Sequence, residues 1–130
     1  MGPKSEQIAF LKQPSIEHIM PQSWAENWRL ADGSKGVNYV DLLGVADSDP
    51  IAMASRTRSA SVQTLGNLTI LTSELNAAQS NLEWMKKRPE MMKHSLLPIN
   101  QALPLSSWDE VTILERGRDL YKRATSLWPR

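Results

Sequence analysis

The sequence predicts an α+β domain, a small antiparallel β-hairpin embedded in helices. Three observations predict it. Residues 15–20 and 67–72 are β-prone runs, the first closed by Pro21 and the second entered from Gly66. Apolar residues at helical spacing dominate the chain beyond Ser73. The order strand, long excursion, strand, helices is that of an α+β chain.

Taken in order, residues 5–12 hold Ile8, Phe10 and Leu11, a short apolar element ahead of Pro14. Residues 15–20 form the first strand. Ser23 then precedes Trp24 and Trp28 at i,i+4, which predicts a helix or helical turn over 23–30. Asp32-Gly33-Ser34-Lys35-Gly36 is a turn, and residues 39–45 are apolar but short before Asp47-Ser48-Asp49-Pro50. Residues 51–62 read as a helix by their alanines and as a loop by their serines, and the choice stays open. The second strand, 67–72, carries Leu68, Ile70 and Leu71 with two threonines. Ser73 is expected to cap a helix ending near Arg88, before Pro89, with Leu75, Ala78, Leu82 and Met85 as its apolar stripe. One more helical piece is expected over 90–96. The last helix has the clearest signals: a capping box at Ser107-Trp108-Asp109-Glu110, then Val111, Leu114, Tyr121, Ala124 and Leu127 at helical spacing.

Composition excludes several classes. With 41% hydrophobic and 22% charged residues in 130, the chain is a single globular domain able to bury a core. It has no cysteine, which removes disulfides, thiolate zinc sites and cysteine nucleophiles. No apolar run suits a membrane span and no signal-peptide core begins the chain, so the expectation is a cytoplasmic protein without a membrane partner. The Met1-Gly2 start and the Trp128-Pro129 near the end suit a domain cut from a longer protein. Trp84, Trp108 and Trp128 sit at helical positions and are expected to pack the core. A net charge of +1 does not announce a nucleic-acid binder, although Arg56 with Arg58, Lys86-Lys87-Arg88, and Arg116 through Arg123 are basic clusters.

His18 is the sharpest position. A lone strand histidine is more often structural than catalytic, but an imidazole titrating near ambient pH also suits removal of a proton from water. Glu17 beside it is either an exposed strand carboxylate or an oxygen ligand for Mg²⁺ or Mn²⁺. Adjacent strand side chains point to opposite faces, so both reach one site only if the strand distorts there. Asn67, after Gly66, is a turn residue bonding its own backbone. Asn76 is a helix cap or a neutral oxygen ligand. Asn81 is a lesser candidate for the same role. Lys86 and Lys87 are solvated lysines first, and contacts to backbone phosphate second.

The ordered set of motifs resembles one family. Ile16-Glu17-His18-Ile19-Met20-Pro21-Gln22-Ser23-Trp24, Leu65-Gly66-Asn67-Leu68-Thr69-Ile70-Leu71-Thr72, Leu75-Asn76, Ser80-Asn81, Lys86-Lys87, Trp108-Asp109-Glu110 and Glu115-Arg116 recur in that order. Together they resemble the C-terminal nuclease domain of GmrSD-type, modification-dependent restriction proteins, a branch of the HNH (ββα-metal) nucleases. The resemblance implies a metal-dependent endonuclease acting on phage or foreign DNA, with one Mg²⁺ or Mn²⁺. It makes His18 the general base, Asn67 the structure-fixing asparagine, and Glu17 and Asn76 the metal ligands. It also implies a linked N-terminal NTP-hydrolysing sensor domain. Two rival readings are a catalytically inactive HNH-like module that binds DNA or a partner, and a metal-free helical adaptor.

Overall fold

Two short β-prone runs pair to make the hairpin. In the computed structural model, which describes residues 14–46, 48–95 and 97–127, β1 (Ser15–His18) pairs antiparallel with β2 (Leu68–Leu71). Ile16 lies opposite Ile70, Glu17 opposite Thr69, and His18 opposite Leu68 at the strand's end. Ile16 and Ile70 are exposed, whereas Glu17, Thr69 and Leu71 are buried, the period-two pattern of a half-covered sheet. Both strands are shorter than expected. Ile19 and Met20 leave the strand for the core, and Asn67 ends a 3₁₀ turn, Leu65–Asn67, that feeds β2.

The excursion between the strands supplies a helical layer. The helix expected over 23–30 shrinks to a 3₁₀ turn at Trp24–Glu26, because the Ser23 hydroxyl does not cap it and donates to Asn81 Oδ1 at 2.8 Å. Trp24 and Trp28 are nonetheless both buried. Asp32 makes the expected turn, accepting from the Ser34 amide at 2.9 Å while Gly33 takes a φ of 86°. The segment left open is helical: α1 (Pro50–Val62) starts with Asp49 accepting from the Ile51 amide and proline at its first position.

Beyond β2 the long helix expected from Ser73 to Arg88 is broken in two. Asn76 caps the four-residue α2 (Ala77–Ser80) in a reciprocal box with Gln79, and Glu83 caps α3 (Trp84–Lys93). Pro89 lies inside α3 rather than ending it. It strips the Met85 carbonyl of its helical partner, but both residues are exposed, so water can serve. The piece expected over 90–96 is therefore mostly the second half of α3. α4 (Pro98–Gln101) and α5 (Glu110–Leu127) complete the described fold.

The cap of α5 also differs from the expected one. Asp109 Oδ1 accepts from the Thr112 amide at 3.0 Å, and Thr112 Oγ1 accepts from the Asp109 amide at 2.7 Å. Ser107 and Glu110 do not form the box; Glu110 reaches back to Arg58 at 2.9 Å. The stripe Val111, Leu114, Tyr121, Ala124 and Leu127 is exposed, and Ile113 is the buried residue of the helix. The reason is a close backbone approach. A Cβ on Gly66 would sit 1.9 Å from the Ile113 carbonyl oxygen, so α5 seats its backbone on the Leu65–Asn67 turn. Gly66→Ala is accordingly expected to cost about 1–3 kcal/mol or more, read as a lowered urea midpoint at unchanged slope.

The core is built on tryptophan. Trp28, Trp84 and Trp108 follow one another with ring centroids 6.2 and 5.6 Å apart, and Arg58 stacks 4.9 Å from the Trp24 ring centroid. Trp84 and Trp108 are in the core as expected, whereas Trp128 and the 5–12 element lie outside the described residues. No helix among the described residues is long and apolar enough to cross a membrane.

Candidate active site

Asn67 fixes the path by which the chain leaves β1. Its backbone carbonyl accepts from the Ile19 amide at 2.8 Å. Its side-chain Oδ1 accepts from the Met20 amide (2.8 Å) and from Trp108 Nε1 (2.9 Å). Its Nδ2 donates to the carbonyls of Met20 (2.8 Å) and Val62 (3.0 Å). Fully buried and fully bonded, this amide has nothing left for substrate. Arg116 braces the same turn, Nη1 donating to the Gly66 and Leu68 carbonyls at 2.9 and 2.7 Å. Burial pushes the Arg116 pKa down, and its Nη2 has no partner among the described residues. Counted with a basic cluster, Arg116 carried no sequence signal for this inward role.

Where β1 ends, a cleft of about 320 Å³ opens, lined by Glu17, His18, Pro21, Ser23, Ser80 and Asn81 among others. His18 is half-buried on its wall, and no described residue hydrogen-bonds its imidazole. Glu17 is buried to 8% exposure. Its Oε2 accepts from Ser80 Oγ and pairs with Lys87 Nζ, each at 2.8 Å. Lys87 Nζ also donates to the His18 carbonyl at 2.7 Å. Burial lowers the Lys87 pKa, and the neighbouring Glu17 carboxylate opposes that shift.

Several expected placements change. Lys87, expected as a solvated lysine or a phosphate contact, is 0% exposed and turned inward, while Lys86 beside it is exposed. Asn81 lines the cleft, its Oδ1 held by Ser23 and its carbonyl by Asn27 Nδ2 at 2.7 Å. Asn76 does not line it. The chain stays non-helical from Ser73 to Asn76, and Asn76 Oδ1 is committed to the Gln79 amide at 2.8 Å. Ser80, holding Glu17, was visible in the sequence only as a neighbour of Asn81. A larger groove of about 530 Å³ runs along α5, walled by Leu65, Ile113, Leu114 and Tyr121, and offers no histidine.

The donor set limits the ion the cleft can take. Among the described residues, no three His, Asp or Glu side chains gather as a metal cage. The cleft offers one carboxylate, one imidazole and the Asn81 amide. So sparse a set fits a hard cation that keeps several of its waters, such as Mg²⁺ or Mn²⁺, and not a closed zinc site. Compared with known proteins, residues 2–123 match a family model described as GmrSD restriction endonucleases, C-terminal domain. No curated protein and no solved structure matches the chain.

Proposed function

The chain belongs to the family of GmrSD restriction endonuclease C-terminal domains, and from that premise we propose a metal-dependent DNA endonuclease that nicks one strand at the Glu17–His18 cleft. Membership makes it a restriction-endonuclease-type protein whose substrate is DNA. The finer reading rests on one observation, a histidine with an unbonded imidazole sharing a cleft with an anchored carboxylate. In it His18 removes the proton from the attacking water. Glu17 would hold Mg²⁺ or Mn²⁺, and Asn81, which lines the same cleft, would add a neutral oxygen. Asn76 enters only if its cap opens; capped, it holds the helix that carries Ser80 into the site. A bound cation supplies positive charge to the scissile phosphate and the leaving 3′ oxygen. Products carry 5′-phosphate and 3′-hydroxyl ends.

The electrostatics favour slow, sequence-tolerant nicking. Arg58 and Lys87 are buried in ion pairs, and Arg56 and Arg88 donate to backbone carbonyls, so of the Arg56/Arg58 and Lys86-Lys87-Arg88 clusters Lys86 is the one exposed cation. Recognition of a DNA modification is then the task of a linked NTP-hydrolysing domain. Glu17→Ala is expected to lower cleavage about 10–100-fold at fixed Mn²⁺ and to raise the Mn²⁺ concentration needed for half-maximal rate. Cleavage by the parent chain that persists undiminished in excess EDTA contradicts the metal reading.

A further inference from the structure

Behind the cleft, and outside its lining, lies a lysine with no exposed surface. Lys87 rises from α3, whose Trp84 and Met91 are buried in the core, so the base of its stem is fixed by packing. Among the described residues its ammonium makes two contacts, and both end on the site: Glu17 Oε2 at 2.8 Å and the His18 carbonyl at 2.7 Å. One cation thus grips the side chain of the first site residue and the backbone of the second. Ser80 Oγ lands on the same Glu17 oxygen, at 2.8 Å. Oε2 is therefore held from two sides, while Oε1 takes no hydrogen bond from a described residue.

We infer that Lys87 is the positioning residue of this site: it locks the Glu17 carboxylate with Oε1 left for a divalent cation and pins the strand end that carries His18. The inference rests on the cleft reading above. Partners that orient a metal-holding carboxylate set the ion's affinity from behind it. A buried ammonium on a rigid helix suits that task, since it neither meets solvent nor follows the DNA. Lys87, expected first as a solvated lysine and second as a phosphate contact, is instead buried against Glu17.

The two roles separate in one experiment. Mn²⁺ alone is titrated calorimetrically into the whole chain and its Lys87→Met variant, and plasmid nicking is measured in parallel across a salt series. Positioning predicts Mn²⁺ affinity and kcat each falling about 10–100-fold, with KM for DNA and its salt slope unchanged. A phosphate contact predicts instead a raised KM and a salt slope smaller by about one, with Mn²⁺ affinity intact, and that result overturns the inference. A folded variant with parental Mn²⁺ affinity and kcat also overturns it, since a purely structural lysine alters the melting temperature only. If Lys87→Met does not fold, Lys87→Gln, which keeps a neutral donor, carries the same test with the same expected direction. Failure of the underlying reading looks different: the parent chain itself takes up no Mn²⁺, and the positioning role falls with it.

Discussion

Replacing His18 with alanine is expected to lower DNA cleavage by about 10²–10⁴-fold, the range a positioned general base contributes. The fold should survive the change. His18 is half-buried at the end of β1, its imidazole bonds to no described residue, and the contact it does make, from Lys87, is to its backbone carbonyl, which alanine retains. Far-ultraviolet circular dichroism and the melting temperature should therefore match the parent while nicking disappears. Because the imidazole hydrogen-bonds neither Glu17 nor Lys87, the Glu17–Lys87 pair should also survive the change. A folded His18→Ala chain that nicks at the parent rate removes His18 from the chemistry.

Asn67→Ala should produce the largest loss of stability, with activity lost as a consequence. The side chain satisfies the Met20 amide and carbonyl, the Val62 carbonyl and Trp108 Nε1 at once, in a site with no exposure. Truncation orphans these buried groups, each at about 1–3 kcal/mol, and leaves a void beside them. A sum beyond about 4 kcal/mol is a large part of the 5–15 kcal/mol that holds a typical domain together. Thermal unfolding should therefore fall by more than about 10 °C, or the chain should fail to fold at all. Asn67→Asp is less informative, since it buries a charge. A melting temperature within a degree or two of the parent means that the Met20–Pro21 exit is held by other contacts.

The hairpin was legible in the sequence because its two runs are β-prone and are bounded by Pro21 and Gly66. The helices after it were not, and the reason is local. Asn76 and Glu83 each offer the backbone a side-chain acceptor, which starts a new helix where an apolar stripe suggested a continuous one. α1 was unreadable because its buried face, Ala52, Ser55, Arg58 and Val62, is mostly small or polar and leaves no apolar period to detect. α5 misled in the opposite sense. Its apolar stripe is real but faces outward, because a glycine contact, invisible to hydrophobic spacing, decides which side docks.

The candidate site was legible in part for the same kind of reason. Glu17 and His18 stand out by residue type, and both line the cleft. The resemblance put Asn76 ahead of Asn81. In the structure Asn81 lines the cleft wall, and Asn76 caps α2. A run of three basic residues reads as a solvated face whatever its members do. Only the packing of Trp84 and Met91 shows that the middle one, Lys87, turns inward to Glu17.

The most direct test of a one-metal nicking site at the Glu17–His18 cleft is a time course on supercoiled plasmid, run with Mn²⁺ and in parallel with excess EDTA, and resolved into nicked and linear forms. The account predicts open circles accumulating first, linear DNA only later, and neither form in EDTA. Cleavage undiminished in EDTA, immediate double-strand breaks at one defined sequence, or DNA binding without any turnover in Mn²⁺ would contradict it.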